Sequence, residues 1–197
     1  MEKDSSSIIE SNHSLIRAFV AVPIPEVAAQ ELERYLNSLK RMACLHWVTS
    51  AQFHITLRFL GEQTREIIEQ VRDALSHLQF SPFEIELSYV GAFPNMKCPR
   101  VLWLSGNRGK RELTSLAEAV NKSMDEIGLP SEKRAFKPHL TLARTKGTPL
   151  PPQLLMELKK PPTLSWCCDS FDLMRSRLTP RGALYSKIPL SKEYDVG

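Results

Sequence analysis

Two segments of this sequence share a pattern that constrains the fold more than any other feature: a histidine, any residue, a threonine and an apolar residue. His54 and Thr56 form the first pair, and His139 and Thr141 form the second. Both pairs lie among aliphatic residues that favour β-strands. Because alternate side chains of a strand share one face, we expect each histidine to point the same way as its threonine, with the other face entering a core.

Strict alternation extends this prediction along the first strand. We expect Arg58 to share the face of His54. The core face should carry the apolar residues Ile55, Leu57 and Phe59.

The second strand has basic residues on both sides of its motif. Lys137 lies two residues before His139 and should share its face, whereas Arg144 is out of phase and needs a bend or a bulge to return to that face. Basic residues here are consistent with an anionic ligand, but a lysine or arginine near a strand end is usually only solvated.

The two motifs occupy the same place in a weak internal repeat. In each half of the chain a strand is followed by a helix, the motif strand, a second helical segment and a further strand, at nearly equal spacings. Two related lobes packed face to face would bring His54 and His139 to one cleft. The patterns predict helices over 25–41, 66–78 and 111–128, and strands over 15–22, 53–59, 83–87, 90–93, 101–104, 137–144, 166–175 and 183–190.

The remaining segments are polar. Residues 1–14 are rich in serine and should be a disordered tail. Residues 146–162 are rich in proline and lysine and should be a connector with at most one helical turn. Residues 15–197 should therefore form a single domain of two lobes.

The composition of the 197-residue chain bounds its partners and its compartment. Lysine and arginine number 26 against 22 acidic residues, and this net charge of +4 favours an anionic partner but is too small to establish nucleic-acid binding. No run approaches the roughly 20 apolar residues of a membrane-spanning helix, and the N-terminus lacks an apolar signal core. We expect a cytoplasmic protein with no membrane partner, whose cysteines are reduced and mostly buried: Cys44, Cys98, Cys167 and Cys168.

The residue types permit acid–base chemistry at phosphorus. The pKa of a free histidine is roughly 6.5, so one imidazole can accept a proton while another donates one. Two threonine hydroxyls could hold two non-bridging phosphate oxygens, and placed donors of this kind usually contribute much to catalysis. This scheme needs no metal and no cofactor.

Each of these features also has an ordinary structural explanation. A single His-x-Thr in a strand is rarely a site, and three further histidines match no pattern: His13, His46 and His77. Four aromatic residues could stack a base but are more often core residues: Phe19, Trp47, Phe53 and Phe136. The coincidence of two motifs in one slot of a repeat is what favours a site.

The motif strands and their surroundings resemble the 2H phosphoesterase superfamily, and more closely the RNA 2′,3′-cyclic phosphodiesterases once described as 2′-5′ RNA ligases. The similarity covers nearly all of residues 15–190. It is carried by segments 17–22, 53–62, 100–104 and 136–144 and by the ending 176–185.

The resemblance implies an α+β fold with two pseudo-symmetric lobes, each an antiparallel sheet with helices on its outer face, around a central cleft. It implies hydrolysis of a 2′,3′-cyclic phosphate at an RNA end to a 2′-phosphate. We expect the protein to be a monomer. His54 would be the proton donor and His139 the proton acceptor. Thr56, Thr141 and Arg144 would bind the phosphate.

The resemblance also implies that Phe19 could contact the base. Lys137 stands where the family often has arginine, which keeps the charge but loses bidentate geometry.

Two alternatives remain open from the sequence. The first is reversible ligation of a cyclic-phosphate end to a 5′-hydroxyl end. The second is an RNA-end-binding module without turnover, although a pure binder needs no acid–base pair.

Overall fold

A computed structural model of the chain describes residues 15–130, 132, 134–180 and 182–191; the expected tail over 1–14 lies outside these residues. The fold is α+β. Its helices are α1 (Glu26–Lys40), α2 (Arg65–Ser76), α3 (Lys110–Glu126) and α4 (Pro152–Glu157), with a 3₁₀ turn at Ser50–Gln52. Its strands are β1 (Ile16–Pro23), β2 (His46–Trp47), β3 (His54–Gln63), β4 (Phe83–Leu87), β5 (Tyr89–Phe93), β6 (Val101–Ser105), β7 (Leu140–Arg144), β8 (Leu164–Cys168), β9 (Asp172–Thr179) and β10 (Gly182–Ile188).

The main sheet is antiparallel and combines the sheets of both lobes. Its strand order is β10-β9-β1-β3-β7-β6-β5, and β2 adds to the edge of β7. Strands β4 and β8 form a separate two-stranded sheet. The first lobe is therefore β10-β9-β1-β3, and the second is β7-β6-β5 with β2.

The two lobes meet within the sheet at the pair formed by Ile55 of β3 and Leu140 of β7. Both side chains are fully buried. The residues that flank them in each strand therefore project from the opposite face of the sheet.

The helices cover the core face of the sheet. Helix α3 packs against β3 and α2. Its apolar side, which includes Leu113, Leu116 and Val120, is buried. The helix ends where Gly128 takes a φ of 82°, a left-handed conformation that glycine adopts without steric cost.

The last strands depart from the simple repeat. The predicted strand over 166–175 is two strands, β8 and β9, separated at residues 169–171. Strand β4 pairs with β8, whereas β9 pairs with β1. The C-terminal part of the chain thus completes the first lobe, a long-range pairing that spacing within each half cannot reveal.

Strict alternation fails in β3 because of a β-bulge. Ala21 pairs with Thr56 and Val20 with Arg58, so Leu57 is an additional residue and the side-chain phase changes after it. The prediction for two residues is therefore wrong: Arg58 is buried on the helix-covered face at 3% exposure, and Phe59 is 53% exposed on the other face.

A matching bulge occurs in β7. Trp103 pairs with Thr141 and Leu102 with Ala143, so Leu142 is the additional residue. This change of phase returns Arg144 to the face of Thr141, as the sequence required. The two motif strands therefore share their bulge position as well as their histidine and threonine.

The cysteines are more exposed than predicted. Of the four, Cys168 is buried and its burial raises the pKa of its thiol to about 12. Cys44, Cys98 and Cys167 are exposed, so the prediction of mostly buried cysteines is wrong. Within the described ranges, none of the helices combines the length and the apolar character needed to span a membrane.

Candidate active site

His54 is the first residue of β3, and its imidazole is fixed by the main chain. Its Nδ1 lies 2.8 Å from the carbonyl oxygen of Gln52. Because a carbonyl oxygen only accepts hydrogen bonds, Nδ1 must carry the proton. The Nε2 atom is then the one left for proton transfer.

His139 is held in the same way just before β7. Its Nδ1 lies 2.6 Å from the carbonyl oxygen of Lys137, again two residues upstream. The same tautomer follows, with Nε2 free to accept or donate a proton. The two halves of the repeat therefore present their imidazoles through identical main-chain contacts.

The pairing of the two lobes brings the four motif side chains to one place. Ile55 and Leu140 are paired and face the core, so the residues on either side of them lie together on the opposite face. An antiparallel register through this pair sets His54 towards Thr141 and Thr56 towards His139. The charge of His139 is felt at His54, which agrees with this proximity.

Burial shifts both histidines towards their neutral forms. It lowers the pKa of His54, the Gln52 carbonyl opposes this shift, and the charge of His139 lowers the pKa further. Burial likewise lowers the pKa of His139, with the Lys137 carbonyl opposing and the Arg144 charge lowering it further. The site thus disfavours the protonation of both imidazoles at once.

The threonines and Arg144 lie around the imidazoles. Thr56 and Thr141 are half-buried on the cleft face, each next to the bulge of its strand. Arg144 is exposed, and its charge acts on His139. Together these side chains offer two hydroxyls and a guanidinium to an anion between the histidines.

Each imidazole is also flanked by aromatic rings that the sequence alone did not single out. Tyr185 of β10 meets His54 edge-on, with ring centroids 5.3 Å apart and an interplanar angle of 85°. Phe93 of β5 meets His139 at 5.1 Å and 87°. Trp103 is also close to His139, at 6.3 Å. A strand aromatic has no sequence signal that distinguishes a cleft position from a core position.

The four aromatic residues considered as base-stacking platforms belong mainly to the core. Phe53 is buried, and Trp47 and Phe136 are half-buried against the core. Phe19 lies 4.8 Å from His54 but is only 2% exposed, so its ring has little surface left for a base. Phe59, which was expected in the core, is instead the exposed aromatic beside it, at 6.0 Å.

The charges around the cleft differ between the lobes. Lys137 is exposed and its Nζ lies 5.8 Å from the Phe93 ring, near His139. In the first lobe, Asp172 and Thr56 both pair with Ala21, so the buried Asp172 side chain lies on the same face of the sheet as Thr56. Its carboxylate forms an ion pair with Lys187, whose Nζ lies 2.5 Å from Oδ1. The second lobe is therefore the more basic side of the cleft.

His46 is a further basic residue that no sequence pattern selected. It pairs with Arg144 across β2 and β7, and Arg144 pairs in turn with Val101. Val101 pairs with Phe93, whose ring contacts His139. Since paired residues share a face, His46 lies on the cleft face, at its exposed edge.

Arg58, by contrast, lies away from the cleft. Its guanidinium donates to Oδ1 of Asn121 in α3 and to the carbonyl oxygen of Pro130. Its counterpart by bulge position in the second lobe is Ala143. Arg58 is therefore a structural residue that joins β3 to α3.

Comparison with known families agrees with this geometry. The family model of the 2′-5′ RNA ligase superfamily matches residues 23–180, a stretch that contains both motifs. The chain belongs to this superfamily.

Relatives within the superfamily share most of the chain. The RNA 2′,3′-cyclic phosphodiesterase of Archaeoglobus fulgidus is 34% identical over 176 residues, covering 88% of this chain and 98% of the relative. The protein of the same name from Aeropyrum pernix is 36% identical over 144 residues, covering 72% of this chain and 82% of the relative.

Two solved structures share the fold. The TT0787 protein of Thermus thermophilus has a TM-score of 0.72 and 30% identity, covering 88% of this chain and 95% of its own. E. coli LigT in complex with 3′-AMP has a TM-score of 0.74 and 21% identity, with 89% and 96% covered. Both likenesses extend over nearly the whole described chain.

Proposed function

We propose that this protein hydrolyses the 2′,3′-cyclic phosphate ends of RNA or of nucleosides to 2′-phosphomonoesters by metal-independent acid–base catalysis. The observation that carries the proposal is the symmetric presentation of two imidazoles. His54 and His139 each give Nδ1–H to a carbonyl two residues upstream and keep Nε2 free, on strands that meet at one residue pair. Relatives named RNA 2′,3′-cyclic phosphodiesterase support the same substrate class.

The proposed reaction is an in-line displacement at phosphorus. Nε2 of His139 takes a proton from water, and the water oxygen forms a bond to phosphorus. The bond between phosphorus and O3′ breaks, and Nε2–H of His54 protonates O3′. The products are a 2′-phosphate and a free 3′-hydroxyl, and the two histidines exchange protons with solvent before the next cycle. The assignment of acid and base follows the family resemblance.

The surrounding donors stabilise the negative charge that grows on phosphate oxygens. The hydroxyls of Thr56 and Thr141 donate to two non-bridging oxygens, and Arg144 adds a full charge beside His139. Such preorganised donors act most strongly where water is partly excluded. The half-buried position of both threonines suits this role.

The first test replaces each catalytic histidine in turn. We expect His54→Asn and His139→Asn each to lower kcat for a nucleoside 2′,3′-cyclic phosphate by about 10²- to 10⁴-fold, since each removes one proton-transfer group. The matched control is His77→Asn, which alters an exposed histidine bound to a carbonyl of its own helix. Near wild-type turnover by either active-site variant would contradict the proposal, as would loss of activity in EDTA that a divalent ion restores.

Ligation uses the same groups with a different nucleophile. A 5′-hydroxyl in place of water would give a 2′-5′ link, and the superfamily name records this reaction. Mixing a cyclic-ended oligonucleotide with a 5′-hydroxyl oligonucleotide and separating the products by length distinguishes hydrolysis, ligation and binding without turnover.

A further inference from the structure

The end of the β9–β10 hairpin lies against the 3₁₀ turn that precedes His54. Gln52, the last residue of that turn, donates a hydrogen bond from Nε2 to the carbonyl oxygen of Ala183 at 2.9 Å. Ala183 lies in β10, 131 residues further along the chain. The C-terminal hairpin is thus attached directly to the segment that holds the first histidine.

The orientation of the Gln52 amide follows from its partners. Oε1 accepts the backbone N–H of Thr49 at 3.1 Å, and an N–H can only donate. Nε2 then faces the carbonyl of Ala183, which can only accept. Both ends of the amide are used, so the side chain links the start of the turn to the hairpin.

The main chain of the same residue holds the catalytic imidazole. The carbonyl oxygen of Gln52 receives Nδ1–H of His54. Any displacement of the turn therefore moves the acceptor that sets the tautomer and direction of His54.

The hairpin contacts that imidazole from a second side. Tyr185 follows Ala183 by two residues on the same face of β10 and packs edge-on against His54. It also packs against Phe19 at 5.0 Å and 72°. His54 is therefore held between a carbonyl of the turn and a ring of the hairpin, and Gln52 joins those two supports.

We propose that Gln52 is a positioning residue that couples the β9–β10 hairpin to His54 and keeps its imidazole in the productive direction. This inference rests on the proposed function, because it concerns the proton donor of that reaction. Gln52 itself does not touch the reacting atoms. Its effect passes through the position of the turn and the packing of Tyr185.

The test uses two substitutions that separate capping of the turn from attachment of the hairpin. Gln52→Met has a similar length but removes the polar contacts to the N–H and hydroxyl of Thr49 and to the carbonyl of Ala183. Gln52→Glu keeps an acceptor for the Thr49 N–H but has no hydrogen to donate to Ala183 when ionised. Thr49→Ala is the comparison for capping alone, because it removes the Thr49 hydroxyl that donates to Gln52 Oε1 at 3.4 Å but leaves the backbone donor and the Ala183 bond in place.

We expect Gln52→Met and Gln52→Glu each to lower kcat for a cyclic mononucleotide by roughly tenfold, because misplacing a catalytic group by a fraction of an ångström is costly. KM should change by less than about twofold, since the phosphate-binding groups remain. Thr49→Ala should behave like the wild type. Wild-type kcat in Gln52→Glu would assign Gln52 to capping alone and overturn the proposal.

The pH profile gives a readout that general destabilisation would not move. In the described part of the chain, the titratable groups next to His54 are His139, just before β7, and Tyr185 of β10. Loosening Tyr185 exposes His54 and weakens the burial that lowers its pKa. The alkaline limb of kcat/KM, where the proton donor is lost, should therefore move to higher pH in Gln52→Met. An unmoved limb would contradict the coupling.

Two further measurements do not depend on the assigned reaction. Amide hydrogen exchange over 176–180 and 182–185 should be faster in Gln52→Met than in Thr49→Ala, and equal exchange would overturn the proposal.

The double variant Gln52→Met/Tyr185→Leu should lose less activity than the product of the two single losses, because both substitutions act on the same support of His54. If hydrogen exchange in the hairpin is faster in Gln52→Met but the wild type has no cyclic phosphodiesterase activity, the attachment of the hairpin by Gln52 is supported and the proposed function is wrong.

Discussion

At the residue scale, the site depends on which atoms of each side chain are already occupied. Both histidines have Nδ1 committed to a main-chain carbonyl. The His-x-Thr pattern in the sequence does not predict this contact. The contact depends on the backbone conformation of the two residues that precede each histidine. The sequence therefore predicts which residues are candidates, whereas the structure is needed to show which nitrogen of each imidazole is bound to the main chain.

The threonines provide a prediction at this scale. Thr56→Val and Thr141→Val keep the β-branched shape while removing the hydroxyl. Since a hydrogen bond to a charged group contributes about 1.5–3 kcal/mol, each variant should lose roughly 10- to 100-fold in kcat/KM for a cyclic mononucleotide. Thr56→Ser and Thr141→Ser, which keep the hydroxyl, serve as controls, and equal activity of the Val and Ser variants would exclude the role.

At the scale of elements, β-bulges at Leu57 and Leu142 decide which side chains reach the cleft. The bulge at Leu57 turns Arg58 away from His54, and the bulge at Leu142 brings Arg144 back towards His139. Hydrophobic alternation cannot locate a bulge, because both phases of these strands offer apolar residues. The extra residue in β3 therefore makes the prediction for Arg58 and Phe59 wrong. The extra residue in β7 is the bulge that the sequence required to bring Arg144 to the face of Thr141.

The bulge in β3 gives a stability prediction. Arg58→Met should lower the free energy of unfolding by about 1–3 kcal/mol, because Asn121 and the Pro130 carbonyl lose a buried donor. Denaturant unfolding measures this change. KM for the cyclic phosphate should stay the same. A raised KM with unchanged stability would indicate that Arg58 binds the substrate in the cleft.

The short strand β2 gives a prediction about substrate length. His46 and Arg144 are cross-strand neighbours on the exposed edge of the cleft face, where both side chains are within reach of the backbone phosphate of a longer RNA substrate. We expect His46→Ala to raise KM for a cyclic-ended oligonucleotide by roughly two- to fivefold, the range of surface charge contacts. KM for a cyclic mononucleotide should not change. The comparison variant is His77→Ala, and equal effects on both substrates would count against an extended contact.

At the scale of the whole molecule, the chain order differs from the spatial order. The sequence repeat predicted two lobes, and the structure has them. However, the first lobe takes its outer strands β9 and β10 from the C-terminal part of the chain. Local patterns predicted most strands and helices, but pairing between distant segments is set by packing of the complete core. The contacts of Tyr185 with the site follow from that pairing and could not be predicted.

The buried histidines predict how the stability of the whole fold depends on pH. Burial lowers the pKa of both His54 and His139 in the folded protein. The unfolded chain therefore binds more protons as the pH falls below the ordinary histidine pKa of about 6.5, and the free energy of unfolding should decrease from pH 7 towards pH 5. The double variant His54→Asn/His139→Asn should show a flatter dependence in denaturant titrations. His77→Asn should keep the wild-type slope, and an unchanged slope in the double variant would contradict this account.

The pair formed by Ile55 and Leu140 has a mechanical consequence. Within the sheet it is the pair that links β3 to β7, and the two imidazoles lie one residue before its members. A change in the angle between the lobes at this point would alter the gap between the two Nε2 atoms while the ladders on either side stay intact. The separation of the two imidazoles therefore depends on how two aliphatic side chains pack, and not only on the polar groups around the histidines.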